Sequence, residues 1–249
     1  MEFGAAQFGV ATLQIILIDI VLSGDNAVVI GLACRRLPAH QRRLGILWGM
    51  AGAIGLRVVL IFFAVALLAI PYLKVLGGAL LMWIGVKLLR PEEEGDSDIR
   101  AGDTLWDAVK TIILADVVMS LDNVVAIAAA AHNSQLLVIF GLLVSVPIIM
   151  LGSQLVMTLM DRFPIIITGG GALLGWLAGG MAVSDIAISD WAQQVFPASH
   201  WVVPFAGACL VVALGKWLAA RDETRRGVAM EDIAHEKPDS PDAGKGGHD

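Results

Sequence analysis

The residues best suited to chemistry in this chain are aspartates set within apolar sequence. The segment Asp19–Val28 reads D-I-V-L-S-G-D-N-A-V, and Asp116–Val125 reads D-V-V-M-S-L-D-N-V-V. Both follow the pattern D-x3-S-x-D-N-x-V, so each copy brings two carboxylates, one amide and one hydroxyl. We predict a metal site in which six residues are ligands and three support them. The ligands are Asp19, Asp25, Asn26, Asp116, Asp122 and Asn123, and the supporting residues are Ser23, Ser120 and Arg57.

The predicted ligand set contains only oxygen donors. Such hard ligands suit Mg²⁺, Ca²⁺ or Mn²⁺ rather than copper or zinc. A charged Asp at the centre of a bilayer costs ~2.5–3.5 kcal/mol on insertion scales, so the four carboxylates require compensating positive charge. Arg57 supplies one such charge, and a divalent cation would supply two more.

The spacing within the motif leaves two arrangements open. On an ideal helix Asp19, Ser23 and Asn26 share one face, while Asp25 points about 120° away. Either the helix is broken just after Ser23, which would expose backbone carbonyls, or Asp25 faces a different helix. Asp122 in the second copy presents the same alternatives.

The composition indicates which elements carry these residues. Of the 249 residues 57% are hydrophobic and 16% are charged, whereas soluble domains average ~45–50% and ~25%. Runs that could cross a ~30 Å hydrocarbon core are Phe8–Ala33, Leu44–Ile70, Leu73–Leu89, Leu105–Ala131, Leu136–Met160, Pro164–Val183 and Trp201–Ala219. We therefore predict an all-α integral membrane protein with seven transmembrane helices.

The basic residues predict the orientation. The chain has 17 Lys and Arg, and all of them except Arg57 and Lys74 lie in or beside alternate loops or in the C-terminal segment. Cytoplasmic loops are enriched in such residues, so the N-terminus is predicted outside and the C-terminus in the cytoplasm. Residues 221–249, rich in charge and helix breakers, are predicted to be a disordered cytoplasmic tail. Asp185 and Asp190, in the outer segment, are interpreted as ordinary loop acids.

A second pair of similar segments, rich in glycine, extends the repeat beyond the motif; we call it the glycine echo. Gly77–Trp83 reads G-G-A-L-L-M-W and Gly170–Trp176 reads G-G-A-L-L-G-W. Residues 8–90 and 105–183 are thus two copies of a three-helix unit, and residues 201–219 form a seventh helix within a membrane transport domain at 1–220. Because three spans are an odd number, the second copy is inverted, which is a transporter architecture. The copies differ at one position, where Arg57 aligns with Ile149.

The doubled S-x-D-N motif, set in three-plus-three spans with a seventh helix, resembles the TerC family of integral membrane proteins and its YjbE-like branch. The resemblance covers roughly 8–219. It implies membership of the broader LysE-like exporter superfamily and, for several relatives, export of manganese. The family name comes from tellurium resistance, which does not define a substrate.

The leading hypothesis is a transporter in a bacterial cytoplasmic (inner) membrane that exports a divalent cation, with Mn²⁺ as the substrate, by alternating access. One alternative is a LysE-like exporter of a small organic cation. Another is an accessory membrane protein that binds metal and delivers it to secreted partners. Besides the bilayer and the metal ion, the expected partners are a second copy of this chain or the secretion machinery. No Cys-His, Ser-His or HExxH arrangement favours an enzyme, no cofactor is predicted, and a net charge of −6 argues against nucleic-acid binding.

Overall fold

The computed structural model is all-helical over the residues that it describes, which are 13, 24–35, 37–90, 101–130 and 135–235. Within these ranges, side chains are not described at 61–62, 64–65, 68, 101–103, 122–143, 223 and 225–235. The described helices are α1 Gly24–Cys34, α2 Ala39–Leu68, α3 Leu73–Leu89, α4 Ala101–Ala130, α5 Gln135–Arg162, α6 Ile165–Val183, α7 Ser189–Val195 and α8 Ser199–His235.

Each predicted apolar run corresponds to one of these helices. The third run matches α3 residue for residue, and most other described boundaries agree to within a turn or two. Most of the first run lies outside the described residues. The short helix α7, with Ala192 buried, lies in a segment for which the sequence predicts only a turn. Helix α8 extends to His235 because residues 221–235 contain good helix formers and no proline; this differs from the predicted disorder there, and residues 236–249 lie outside the described part.

Four helical segments among the described residues are long and apolar enough to cross a membrane. They are Ala39–Leu60, Val144–Arg162, Ile165–Val183 and Ser199–Asp222. Only 22–39% of each span is buried inside the protein, and large apolar side chains such as Trp48 and Leu151 are exposed. A bilayer would cover this apolar exterior. The seven spans and the inverted repeat remain predictions.

Charged side chains tie several helix ends together at one end of the bundle, which we call the basic end. Arg35, directly after α1, donates through Nη2 to a backbone carbonyl near the end of α3 at 3.1 Å. Arg90, directly after α3, pairs with Asp222 of α8 at 2.8 Å. Arg42, near the start of α2, pairs with Asp161, near the end of α5, at 3.3 Å. Helices α1, α3 and α5 therefore finish at the end where α2 begins.

Aromatic rings accompany basic side chains near the helix ends that meet at the basic end. Four cations lie 5.5–5.7 Å from a ring centroid, in the pairs Lys87–Trp83, Lys110–Trp106, Arg162–Phe163 and Arg221–Trp217. Aromatic rings with neighbouring Lys and Arg are enriched where helices leave a membrane. These pairs are the kind of anchor that fixes a helix end at a lipid headgroup layer.

At the other end, which we call the Asp185 end, one carboxylate organises two turns. Asp185 has no exposed surface and accepts hydrogen bonds from the backbone N–H groups of Tyr72 (2.9 Å), Lys74 (3.0 Å) and Ala187 (2.9 Å). Burial alone would raise the pKa of this carboxyl, but the N–H donors of Ala187, Tyr72, Lys74 and Val75 outweigh burial and lower the pKa. Asp185 thus joins the α2–α3 turn to the α6–α7 turn, and its interpretation as an ordinary loop acid was wrong.

Glycines allow α6 to touch its neighbours backbone to backbone. A Cβ atom built on Gly175 would lie 2.3 Å from the carbonyl oxygen of Gly207 in α8, and one on Gly78 of α3 would lie 2.6 Å from that of Ala178 in α6. Small residues permit such close approach in membrane proteins, where packing replaces the hydrophobic effect as the driving force. The glycine echo in the sequence therefore marks helix contacts.

We expect Gly175→Ala to lower the thermal unfolding midpoint in detergent. The new methyl group would overlap a backbone carbonyl of α8 that cannot rotate away, and overpacking of this kind costs about 1–3 kcal/mol. Gly169→Ala is the matched control on the same helix, since nothing lies within 4 Å of its Cβ position, and it should be neutral or slightly stabilising. Equal midpoints for the two variants would contradict the close α6–α8 contact.

We expect Asp185→Asn to flatten the acid dependence of stability. Because the pKa of Asp185 is lowered on folding, the carboxylate contributes its full stability above an unfolded pKa of about 3.9 and loses it as the pH falls through the folded value. Unfolding in detergent, measured from neutral to acidic pH, should show a larger acid-dependent loss for the wild type than for the variant. Asp190→Asn, at an exposed acid nearby, should retain the wild-type profile; the same profile for Asp185→Asn would refute the assignment.

Candidate cation-binding site

The structure describes five of the nine predicted site residues with their side chains. Asp25 and Asn26 lie on α1, Arg57 on α2, and Asp116 and Ser120 on α4. The side chains of the other four residues are not described. Asp19 and Ser23 lie outside the described residues, and Asp122 and Asn123 belong to α4 but their side chains are not described.

Asp116 is the hub of a buried polar network that joins three helices. Its Oδ1 atom forms an ion pair with Nη2 of Arg57 and accepts a hydrogen bond from Nδ2 of Asn26 at 3.0 Å. Its Oδ2 atom accepts from the Ser120 hydroxyl at 3.2 Å, and that hydroxyl oxygen accepts from Nε of Arg57 at 3.1 Å. All four side chains are buried, so the network is shielded from solvent.

Local sequence explains why these groups meet. Asp116 and Ser120 are four residues apart on α4 and therefore lie on one helix face. On α2, Gly49 and Gly52 leave room for the side chains of Ile112 and Ile113, whose atoms would be 2.6 Å and 2.4 Å from a Cβ at the two glycines. This close approach of α2 and α4 brings Arg57, further along α2, next to Asp116.

The side-chain amide of Asn26 has a satisfied nitrogen and an unsatisfied oxygen. Because Nδ2 donates to the Asp116 carboxylate, the amide must point its oxygen away from that carboxylate. The oxygen, Oδ1, is buried and has no hydrogen-bond partner in the described part of the chain. Such a buried acceptor costs free energy until a donor or a cation satisfies it.

A small cavity lies beside this network. It has a volume of about 30 Å³, and its polar lining consists of Asn26, Arg57, Asp116 and Ser145, while apolar side chains from α1, α2, α4 and α5 form the remaining wall. A space of this size accommodates roughly one or two water-sized groups. We call it the inner cavity.

Asp25 faces a different space from its neighbour Asn26. It lines a larger cavity of about 180 Å³ together with Met119 of α4 and residues of α6 up to Ser184. Its Oδ1 atom also accepts a hydrogen bond from the backbone N–H of Asn26 at 2.9 Å. We call this space the outer cavity, because Ser184, next to Asp185, is exposed.

The motif spacing leaves two arrangements open: a helix broken within the motif, or a second Asp that faces another helix. Helix α4 runs without interruption through Ser120–Leu121, so the second copy is not broken there. In the first copy Asp25 and Asn26 line different cavities, as expected if Asp25 faces another helix. Among described residues, no three His, Cys, Asp or Glu side chains form a metal cluster, and the site with Asp19, Asp25, Asp116 and Asp122 as ligands stays a prediction.

Sequence reasoning missed Ser145 as a lining residue of the inner cavity. It is buried on α5, one of the few polar residues within an apolar run. The pairing of Arg57 was also unresolved from sequence, since any of four aspartates could have been its partner. The structure assigns Asp116.

Comparison with known proteins places the chain in a family. The model of the integral membrane protein TerC family matches residues 5–223. The membrane protein YjbE of Bacillus subtilis, described as uncharacterized, is 42% identical over 204 residues, which cover 82% of this chain and 91% of that protein. The inner membrane protein YgdQ of Escherichia coli K12 is 26% identical over 170 residues, covering 59% of this chain and 69% of that protein. No solved structure matches the chain.

The family match covers most of the sequence, including both motif copies and every helix that contributes to the buried network. The likeness to YjbE extends over nearly the whole of that relative. The chain therefore belongs to the TerC family of integral membrane proteins.

Proposed function

We propose that this protein is a membrane transporter, not an enzyme, that exports a divalent metal cation from the cytoplasm, with Mn²⁺ as the substrate. The cation binds beside the Asn26–Asp116 hydrogen bond, with Asp25 as a further carboxylate on its path. Access alternates between the two sides of the membrane as the two three-helix units move against each other. The other predicted motif ligands, Asp19, Asp122 and Asn123, complete the path.

The observation that carries this proposal is the unpartnered Oδ1 atom of Asn26. It is a buried, hard oxygen donor of the residue whose amide nitrogen donates to the Asp116 carboxylate, and both residues line the inner cavity. Carboxylate and amide oxygens are the ligands that Mg²⁺, Ca²⁺ and Mn²⁺ prefer. A cation in the cavity would satisfy this acceptor.

The size of the inner cavity favours a metal ion over a small organic cation. A volume of about 30 Å³ admits an ion with about one water but not the carbon skeleton of an amino acid. This argues against the LysE-like alternative.

The charges suggest how the site could load and empty. Arg57 neutralises Asp116 in the present arrangement, and leaving either charge buried alone costs about 3–5 kcal/mol. A divalent cation that approaches Asp116 would replace Arg57 as its counter-ion, and the return of Arg57 would expel the cation. Arg57 then acts as an internal competitor that keeps the unloaded site neutral.

Three features support two inverted units. Helices α3 and α6, which carry the glycine echo, pack antiparallel: Gly78 contacts Ala178, while a Cβ on Gly171 would meet Leu89. Helix α2 packs on α4 and α1 packs on α5, and exchange of the two units maps one pair onto the other. The aligned positions Arg57 and Ile149 both line the inner cavity, as positions related by a two-fold axis near it would.

The two ends of the bundle suggest which side of the membrane the outer cavity faces. The positive-inside rule puts the basic end in the cytoplasm, so the Asp185 end faces outward. The outer cavity, with Asp25 on its wall and Ser184 exposed, then opens toward the outside. In this conformation a cation released from Asn26 and Asp116 would leave past Asp25.

We expect cells that lack this protein to accumulate more manganese under metal stress than wild-type cells, and the Asp25→Asn variant not to restore the wild-type level. The substitution preserves shape but removes a carboxylate that accepts a hydrogen bond from the backbone N–H of Asn26. We expect it to weaken cation binding by at least about tenfold, as perturbations around metal ligands do. Cellular manganese is measured by elemental analysis, with variant levels in the membrane quantified in parallel.

Asp107→Asn is the matched control, because Asp107 is exposed on α4 well before Asp116. It should restore manganese to the wild-type level. The proposal fails if the deletion strain accumulates no extra manganese, or if Asp25→Asn complements as well as Asp107→Asn.

A further inference from the structure

We infer that the outer cavity contains a second cation site, built by Asp25, Met119, Met181 and Ser184, that selects a transition-metal ion over Mg²⁺ and Ca²⁺. It rests on the proposed function in that Asp25 is one of the carboxylates on the export path. This second site differs from the proposed site at the inner cavity in its location and in its thioether ligands, and it supplies selectivity among cations.

The lining of this cavity combines donors that the inner cavity lacks. Its lining residues include Asp25 and Ser184, which carry oxygen donors, and two methionines, which carry thioether sulfurs. The Ser184 hydroxyl donates to the carbonyl of Met181 at 3.2 Å, which leaves its lone pairs available to a cation. Met119 and Met181 come from α4 and α6, so the donors converge from three helices on one space.

Ligand softness gives the site its chemistry. Mg²⁺ and Ca²⁺ coordinate oxygen almost exclusively, so a site in which sulfur replaces oxygen is poor for both. First-row transition ions accept mixed donors, and affinity among them rises from Mn²⁺ toward Cu²⁺. The oxygen donors of the inner cavity do not discriminate Mn²⁺ from Mg²⁺ by softness, so the methionines of the outer cavity supply that discrimination.

The two cavities are lined by nearby residues of the same two helices. Asn26 and Asp116 line the inner cavity, whereas Asp25 and Met119 line the outer one. Helices α1 and α4 therefore each contribute residues to both spaces, and the Asn26–Asp116 hydrogen bond joins the same two helices. An ion on the proposed export path would pass from the residues of the inner cavity to those of the outer one.

The test measures Mn²⁺ binding to the purified full-length protein in detergent. Free Mn²⁺ is followed by its electron paramagnetic resonance signal while Mg²⁺ is added as competitor. In the Met119→Leu/Met181→Leu variant, the Mg²⁺ concentration that displaces half of the bound Mn²⁺ should fall by at least about tenfold, the lower end of the effect expected around metal sites. Leu replaces Met with little change in volume, so the fold is preserved.

Met119 and Met181 also pack in the hydrophobic core, so the control must remove a comparable core methionine. Met157 is as buried as Met119, at 6% exposure, and lines neither cavity. Met157→Leu should leave the Mg²⁺ competition unchanged, and all variants should elute as monodisperse particles. An unchanged competition in the double variant, an equal fall in Met157→Leu, or no Mn²⁺ binding by the wild type would each overturn the inference.

The outcome separates this inference from the proposed function. Methionine-dependent selectivity without Mn²⁺ flux in vesicles would support the site and refute transport. Mn²⁺ flux with methionine-independent selectivity would support transport and refute the site.

Discussion

The buried ion pair between Arg57 and Asp116 is the constraint on which the rest of the structure depends. Two charges inside an apolar bundle are tolerable only as neighbours with their hydrogen bonds satisfied. Ser120 and Asn26 provide those bonds, so three helices are held in a fixed relation at the centre. Removing either charge would leave the other uncompensated, which makes this pair a structural tie and, in the proposed transport cycle, a competitor for the incoming cation.

Glycine contacts and the two bundle ends make this central network possible. Gly49 and Gly52 let α4 approach α2 closely enough for Arg57 to reach Asp116. Asp185 fixes two turns at one end, while Arg35 and other basic residues fix the opposite end. The result is a bundle with an apolar exterior and a small polar interior, in which α1 and α4 contribute residues to two cavities.

Sequence reasoning recovered the helices well because apolar runs and their polar breaks are strong, local patterns. It also singled out Asp116, Asn26 and Arg57, since charge and amide groups are costly inside such runs, and the structure joins them in one buried network; their role in binding a cation stays a prediction. It could not assign the partner of Arg57, the separate cavities of Asp25 and Asn26, or the buried role of Asp185. Each of these depends on which helices pack together and at what register, and a single sequence with periodic apolar runs leaves that packing undetermined. Helix α7 was missed because seven residues in a polar segment produce too weak a periodicity.

Mn²⁺ flux through the purified protein in liposomes is the measurement that most directly separates transport from the alternatives. With Mn²⁺ on one side and a fluorescent indicator on the other, the wild-type protein should carry the ion, and Asp116→Asn should slow flux by at least about tenfold. The double variant Arg57→Met/Asp116→Asn, which removes both charges, serves to separate loss of the ligand from the cost of an unpaired arginine, and it should also be slow. Tight Mn²⁺ binding without flux, or flux that persists at the wild-type rate in the double variant, would contradict a transport site centred on Asp116.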